Sequence, residues 1–165
     1  MNSIFLKGPV KRAHKSIKEF DPNLNVIILE QTARTANDAA KALGCKVGAI
    51  VKSLLLRVGD KFVLCLVSGD KRCSLNKLKK ILHEKDVSMA SPEDVKRVTG
   101  YTIGGVSPVG HFIKTKTYID ENLKNFNSLF AAAGHPNAVF KIDFKNLKEL
   151  TLGEIKEITE WENHN

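Results

Sequence analysis

Two apolar stretches separated by a two-residue turn constrain the fold of this chain more than any other feature. Ala49 to Val58 and Lys61 to Val67 flank Gly59-Asp60. A two-residue Gly-X connection favours a tight antiparallel hairpin, because glycine tolerates the positive φ such turns need. The register sets Val58 opposite Lys61, Leu56 opposite Val63, Leu54 opposite Cys65 and Lys52 opposite Val67. Side chains alternate along a strand, so Ile50, Lys52, Leu54 and Leu56 share one face while Val51, Ser53, Leu55 and Arg57 take the other. The second strand is apolar on both faces, which predicts a sheet covered on both sides.

The remaining elements follow from periodicity and turn chemistry. Gly8-Pro9 opens a helix whose Val10, Ala13, Ile17 and Phe20 recur at helical spacing, and Asp21-Pro22-Asn23 ends it. Val26 to Leu29 reads as a strand. Thr35-Ala36-Asn37-Asp38 resembles a capping box, and the helix it starts stops at Gly44. Ser74 caps a helix through about Leu82, and Ser91-Pro92-Glu93-Asp94 opens another that ends at Gly100. Strands are expected near Thr117 to Ile119, Ser128 to Ala132 and Ala138 to Ile142; Asn146 to Leu150 and Leu152 to Trp161 are expected to be helical. Strands and helices interleave without a regular βαβ rhythm. The predicted class is therefore α/β of the α+β type, a mixed, partly antiparallel sheet surrounded by helices. The 165 residues suit one domain over 1–165, with its core at about 26–150.

Composition narrows the function classes. No apolar run approaches the roughly 20 residues of a membrane span, and Ile4-Phe5-Leu6 is too short for a signal-peptide core, so a cytoplasmic chain is expected. Cys45, Cys65 and Cys73 form an odd set without CxxC spacing, and the five histidines show no ligand spacing. Neither a disulfide framework nor a metal is expected, and no cofactor is called for. The net charge of +8 favours an anionic partner. It concentrates in two stretches: Lys7, Lys11, Arg12, Lys15 and Lys18, then Lys71, Arg72, Lys77, Lys79 and Lys80. Each is either a solvated helix face or a surface that tracks phosphates.

Three features carry possible chemistry. Lys52 sits mid-strand on an aliphatic row, where an ammonium is costly to bury unless it is paired. It either reaches out from an edge or lines a cleft beside Ser68-Gly69-Asp70. Gly104-Gly105-Val106-Ser107-Pro108-Val109-Gly110 has the glycine density that brings main-chain amides close to a ligand, yet it lacks the Gly-Lys-Ser/Thr ending of a phosphate loop. In Ala133-Gly134-His135-Pro136, the proline holds His135 extended. No nucleophile is assembled. Ser107 lacks a GxSxG elbow, and Ser53 points away from Lys52.

The order Thr35…Ala39-Ala40…Leu43-Gly44, Val51-Lys52-Ser53-Leu54, Ser68-Gly69-Asp70-Lys71, Gly100-Tyr101…Gly104 to Gly110 and Ala133-Gly134-His135-Pro136 resembles the YbaK/EbsC family, that of the prolyl-tRNA synthetase insertion domain and its free-standing relatives. The resemblance runs from about Val26 to Leu150. It implies a curved, partly barrel-like sheet and a deacylase acting on mischarged tRNA, with tRNA for proline carrying a small non-cognate amino acid as the expected substrate. It also implies Lys52, Gly105, Ser107 and Gly110 as catalytic residues. Leu54, Gly104, Val106, Pro108, Gly134 and His135 would bind the substrate, while the crowding of charge in the second basic stretch nominates Lys71, Arg72, Lys77 and Lys80 to meet the tRNA. Loop amides would orient the ester or its oxyanion, Lys52 would hold the terminal adenosine or the carbonyl, and water or the substrate's own thiol would attack. Aminoacyl-tRNA and prolyl-tRNA synthetase are the expected partners, with no membrane. Two other readings fit the same residues: a tRNA- or synthetase-binding module without turnover, and a small-molecule hydrolase on the same fold.

Overall fold

The computed structural model describes residues 3–31 and 33–162; His164 lies outside them. The hairpin forms in the expected register. Strand β2 (Ile50–Val58) pairs antiparallel with β3 (Lys61–Ser68), and Lys52 faces Val67 as Val58 faces Lys61. Around it stand β1 (Val26–Ile28), β4 (Lys71–Cys73), β5 (Val87–Met89), β6 (Lys116–Asp120), β7 (Leu129–His135), β8 (Ala138–Ile142), β9 (Glu154–Lys156) and β10 (Thr159–Trp161). The main sheet runs β1-β8-β7-β2-β3-β6-β9, with β5 also on β2, and β10 pairs separately with β4. It is mixed: β7 joins β2, and β6 joins both β3 and β9, in parallel, while the other pairs are antiparallel.

Helices cover both faces of the sheet. The α1 helix (Gly8–Phe20) lays Val10, Ala13 and Ile17 against Val51, Leu55, Leu64 and Leu66, together with α4 (Pro92–Thr99) and α5 (Phe144–Thr151). On the opposite face α3 (Leu75–Leu82) packs Leu78 against Leu56, Val63, Cys65 and Val67. The α2 helix (Ala36–Leu43) covers Ile50 and Val139 with Ala39 and Ala40. The caps lie where the sequence places them. Thr35, Ser74 and Ser91 each accept a hydrogen bond from the third following amide, and Gly44 and Gly100 close their helices in the left-handed region.

The sequence reading fails at Leu152 to Trp161. This stretch is two short strands, β9 and β10, rather than a helix. Leu152 leaves α5 at φ 56, which ends helical propagation, and Gly153 then passes so close to the Ile119 side chain that a Cβ there would lie 2.8 Å from it. Ile155 pairs with Ile119 in β6, and Ile158 turns into the core beneath α3 at 0% exposure. The Ile158 carbonyl accepts from the Ser74 amide at 2.7 Å. Tertiary pairing overrides a helical periodicity only one side chain deep.

If Ile158 anchors this segment, Ile158→Ala removes a fully buried side chain and costs about 2–5 kcal/mol. Urea unfolding measures it; a loss under about 1 kcal/mol means that the segment is not packed into the core.

Candidate functional site

One edge of β2 is paired with β3 continuously from Val51 to Val58, whereas the other is divided. There β7 pairs only with Ile50 and Val51, and β5 only with Leu56 to Val58. Between them the Ala90 amide reaches the Leu55 carbonyl at 3.0 Å, and among the described residues Lys52 to Leu54 have no strand neighbour on that edge. A cleft of about 300 Å³ opens in this gap. Lys52, Leu54, Phe130 and Ala132 lie along it, Met89 and Ala90 flank one side, and Ile103, Gly104, Val106 and Pro136 the other. Thr35 and Ala36 bring the start of α2 to the same cleft.

Lys52 is half-buried, and its ammonium is paired. Nζ donates to the Lys71 carbonyl and lies 3.0 Å from Glu162 Oε1. That resolves the burial problem raised by the sequence, since an ammonium with a carboxylate and a carbonyl need not leave the sheet. Ser53, one residue on, has an Oγ that is buried and without a hydrogen-bond partner. No base activates it.

The glycine segment divides in two. Gly104 and Val106 border the Lys52 cleft, and Gly105 passes against His135 so tightly that a Cβ would sit 3.0 Å from the His135 main chain. Beyond Val106 the chain turns inward. Ser107 is fully buried, and its Oγ accepts from the Val109 amide at 3.3 Å. Pro108 and Gly110 line a second cavity, of about 310 Å³, bounded by Ser16, Phe20, Thr115 and Thr151. The structure therefore gathers Lys52, Leu54, Gly104 and Val106 around one space, places Gly105 beside it, and turns Ser107, Pro108 and Gly110 elsewhere.

Sequence reasoning missed what holds this loop. Its carbonyls are tied from behind. Arg12 Nε donates to the Gly110 carbonyl at 2.7 Å and Nη2 to that of Gly100 at 2.9 Å, with the guanidinium between the rings of Tyr101 and Phe112. Tyr101 Oη donates to the Val109 carbonyl at 2.8 Å. His111 Nε2 donates to the Ser107 carbonyl at 2.6 Å, which fixes the proton on Nε2. Burial, with Arg12 nearby, holds the His111 imidazolium pKa below its ordinary value despite that carbonyl. A lone arginine in a basic helix carries no local signal for this role.

His135 is oriented rather than free. Its Nδ1 accepts from the Asn137 amide at 3.0 Å, so the proton stands on Nε2. Burial first, then the Lys7 charge, lowers its pKa. Gly134, at φ 93, lies so close to Pro9 that a Cβ would meet its carbonyl at 2.6 Å, which seats α1 behind the histidine. His135 and Gly134 stand behind the cleft wall formed by Gly104 and Pro136.

The second basic stretch is mostly engaged within the protein. The Lys71 ammonium sits 3.1 Å from the centre of the Trp161 ring and 3.3 Å from Asp70. Arg72 pairs with Glu160 at 2.8 Å, and Lys77 with Glu157 at 3.1 Å and the Thr159 carbonyl at 2.7 Å. Lys80 is exposed and has no ion pair among the described residues.

A family model described as an aminoacyl-tRNA editing domain matches residues 30–150. The chain is 30% identical over 147 residues to YwhH of Bacillus subtilis, covering 88% of this chain and 93% of that one. It is 32% identical over 127 residues to the "Putative Cys-tRNA(Pro)/Cys-tRNA(Cys) deacylase EbsC" of Enterococcus faecalis, covering 76% and 77%. A solved structure described as "a putative trans-editing enzyme for prolyl tRNA synthetase" superposes with a TM-score of 0.89 at 35% identity, covering 93% of this chain and 98% of that one. Against a proline–tRNA ligase of Caldicellulosiruptor bescii, 27% identical, the chain spans only 24% of the ligase's length.

The half-buried histidine behind the loop, His111, gives the fold a pH dependence of known sign. A group whose pKa is lowered by folding binds fewer protons when folded, so its contribution is present above the unfolded value of about 6.5 and is lost as pH falls through the lower folded value. Denaturant unfolding across pH 7 to 5.5 is expected to show stability falling, with a shallower fall in His111→Gln. The shift of His135 has the same sign and accounts for part of the remainder. An unchanged slope in His111→Gln contradicts the role assigned to His111.

Proposed function

Because this chain belongs to the aminoacyl-tRNA editing domain family, whose members are deacylases that hydrolyse an aminoacyl ester, we propose that it acts in trans on tRNA for proline carrying a small non-cognate amino acid. The observation that carries this reading is the convergence of Lys52 and the Gly104–Val106 segment on one cleft within the matched residues. The cleft has an apolar floor, Lys52 and Arg34 as its cationic residues, and Gly104 and Val106 along it, and among the described residues it has no paired nucleophile and base. An aminoacyl ester is reactive enough that positioning and charge stabilisation suffice. Water, or a thiol on the substrate itself, adds to the ester carbonyl carbon. Negative charge gathers on the carbonyl oxygen beside the Lys52 ammonium and the loop amides. The C–O bond then breaks, and the ribose oxygen leaves with the proton given up by the water or thiol, freeing the tRNA together with the amino acid or, where the thiol attacks, its cyclic thiolactone, which water then opens.

Leu54, Phe130, Ala132 and Val106 limit the space for the amino-acid side chain. Such apolar limits discriminate by only about 1–3 kcal/mol per methylene, which suits a step that follows imperfect charging. Of the four cations expected to meet tRNA, Lys80 is the one without an ion pair among the described residues, and the phosphate contact narrows to it.

Lys52→Ala is expected to cut deacylation at least about tenfold, equivalent to about 1.4 kcal/mol of transition-state stabilisation. The assay is a panel of tRNA for proline charged with alanine, serine, cysteine or 2-aminobutyrate, with correctly charged controls. Wild-type turnover by a folded Lys52→Ala protein refutes the assignment.

His135 selects the substrate and is not the general base, since its one unprotonated ring nitrogen is already accepting from Asn137. On the same panel, His135→Ala should reorder the substrates. Equal collapse on all of them, with loss of a pH–rate inflection near neutrality, makes it the base instead.

A further inference from the structure

Residues beyond the matched segment complete the site. After α5 the chain returns through Ile158, which is buried beneath α3, and β10 then pairs with β4, Thr159 to Cys73, Glu160 to Arg72 and Trp161 to Lys71. The cations of the Lys71–Lys77 stretch hold this strand down: Lys71 against the Trp161 ring, Arg72 on Glu160, and Lys77 on Glu157 and the Thr159 carbonyl. The next residue is Glu162, whose Oε1 lies 3.0 Å from the Lys52 Nζ.

We infer that Glu162, delivered by the docked β10 strand, is a positioning residue for Lys52. An ammonium has three donors in tetrahedral array. On Lys52, a residue lining the cleft, one goes to the Lys71 carbonyl and one to Glu162, which leaves the third without a partner among the described residues. Lysine otherwise sweeps a four-carbon stem through many rotamers. Two anchors, both supplied by the β4–β10 pair, define the direction of the remaining N–H. The basic stretch that resembles a nucleic-acid surface in sequence thus builds the site from inside. This inference rests on Lys52 being the group that meets the ester.

The test compares Glu162→Ala, Glu162→Gln and Arg72→Glu with wild type on the aminoacyl-tRNA panel, and measures in parallel how fast Lys52 is acetylated by an N-hydroxysuccinimide ester, read by mass spectrometry. Glu162→Ala is expected to lower kcat about tenfold with KM changed less than threefold, to keep the wild-type Tm, and to raise Lys52 acetylation at least twofold. Glu162→Gln, which keeps an acceptor without the charge, should fall between. Arg72→Glu should reproduce the Glu162→Ala effect by loosening β10, and the exchange Arg72→Glu with Glu160→Arg should restore it. Either a kcat within twofold of wild type for Glu162→Ala or an unchanged Lys52 acetylation rate overturns the inference. If the wild-type protein deacylates nothing on the panel, the proposed substrate fails, and the acetylation rates alone then decide whether Glu162 holds Lys52.

Discussion

The site depends on a backbone constraint in β2. A nine-residue strand must place its main-chain donors and acceptors on both edges. β3 meets that need along one side, while β7 and β5 meet it only at the two ends of the other. The divided edge leaves a stretch of extended chain that is rigid because it is half-paired and accessible because it is not fully paired. Lys52 opens that stretch, on the face where Ile50 and Leu54 make an apolar floor. Moving it one residue along the strand would turn the ammonium into the core among Val51, Leu55 and Leu66. The hairpin turn at Gly59-Asp60 therefore fixes the register against β3 and, with it, the face on which Lys52 stands.

Segments on both sides of the matched 30–150 region brace this arrangement. From the N-terminal side, α1 sends Arg12 behind the glycine segment, where it gathers the carbonyls of Gly110 and Gly100. Hydrogen bonds from a charged donor are worth about 1.5–3 kcal/mol each. Arg12, Tyr101 and His111 draw three loop carbonyls backwards, those of Gly110, Val109 and Ser107. From the C-terminal side, β10 brings Glu162 to Lys52. Preorganised donors stabilise developing charge without reorganising during the reaction, and under the function proposed above both braces would serve that end from outside the cleft.

What could be read in the sequence was local. The turn at Gly59-Asp60 gave the pairing of Lys52 with Val67 residue by residue, and Thr35, Ser74 and Ser91 marked their helix starts because a cap and its amide partner lie three residues apart. The failures were non-local. Leu152 to Trp161 carries charges that suit a helix surface, and distant partners make it two strands: β6 for Glu154 to Lys156, and Lys71 to Cys73, 88 residues earlier at the Arg72–Glu160 pair, for Thr159 to Trp161. The same distance hid the ion pairs of Arg72 and Lys77, so their charges looked solvent-facing. In the glycine segment the composition was informative about close approach, but not about where the chain turns inward. That turn is set by the buried hydroxyl of Ser107 and by Arg12, which lies 98 residues from Gly110.

The energetics of the β4–β10 pair bear on why it carries so much charge. Half-exposed ion pairs such as Arg72–Glu160 and Lys77–Glu157 contribute about 0–1 kcal/mol each, because solvent competes for both partners. Ile158, fully buried, outweighs them together. Adhesion of the strand is thus a matter of one apolar anchor, and the ionic contacts govern something else: the sliding and rotation of β10 on β4. A one-residue slip would set Trp161 off Lys71 and carry Glu162 away from Lys52 by about 3.3 Å, a full residue rise. Each charged pair in the set is broken by that slip, and none needs to be strong to forbid it, because the penalties act in concert. Weak contacts distributed along the strand can therefore specify its register while the core sets its stability, and it is the register that determines what stands beside the lysine.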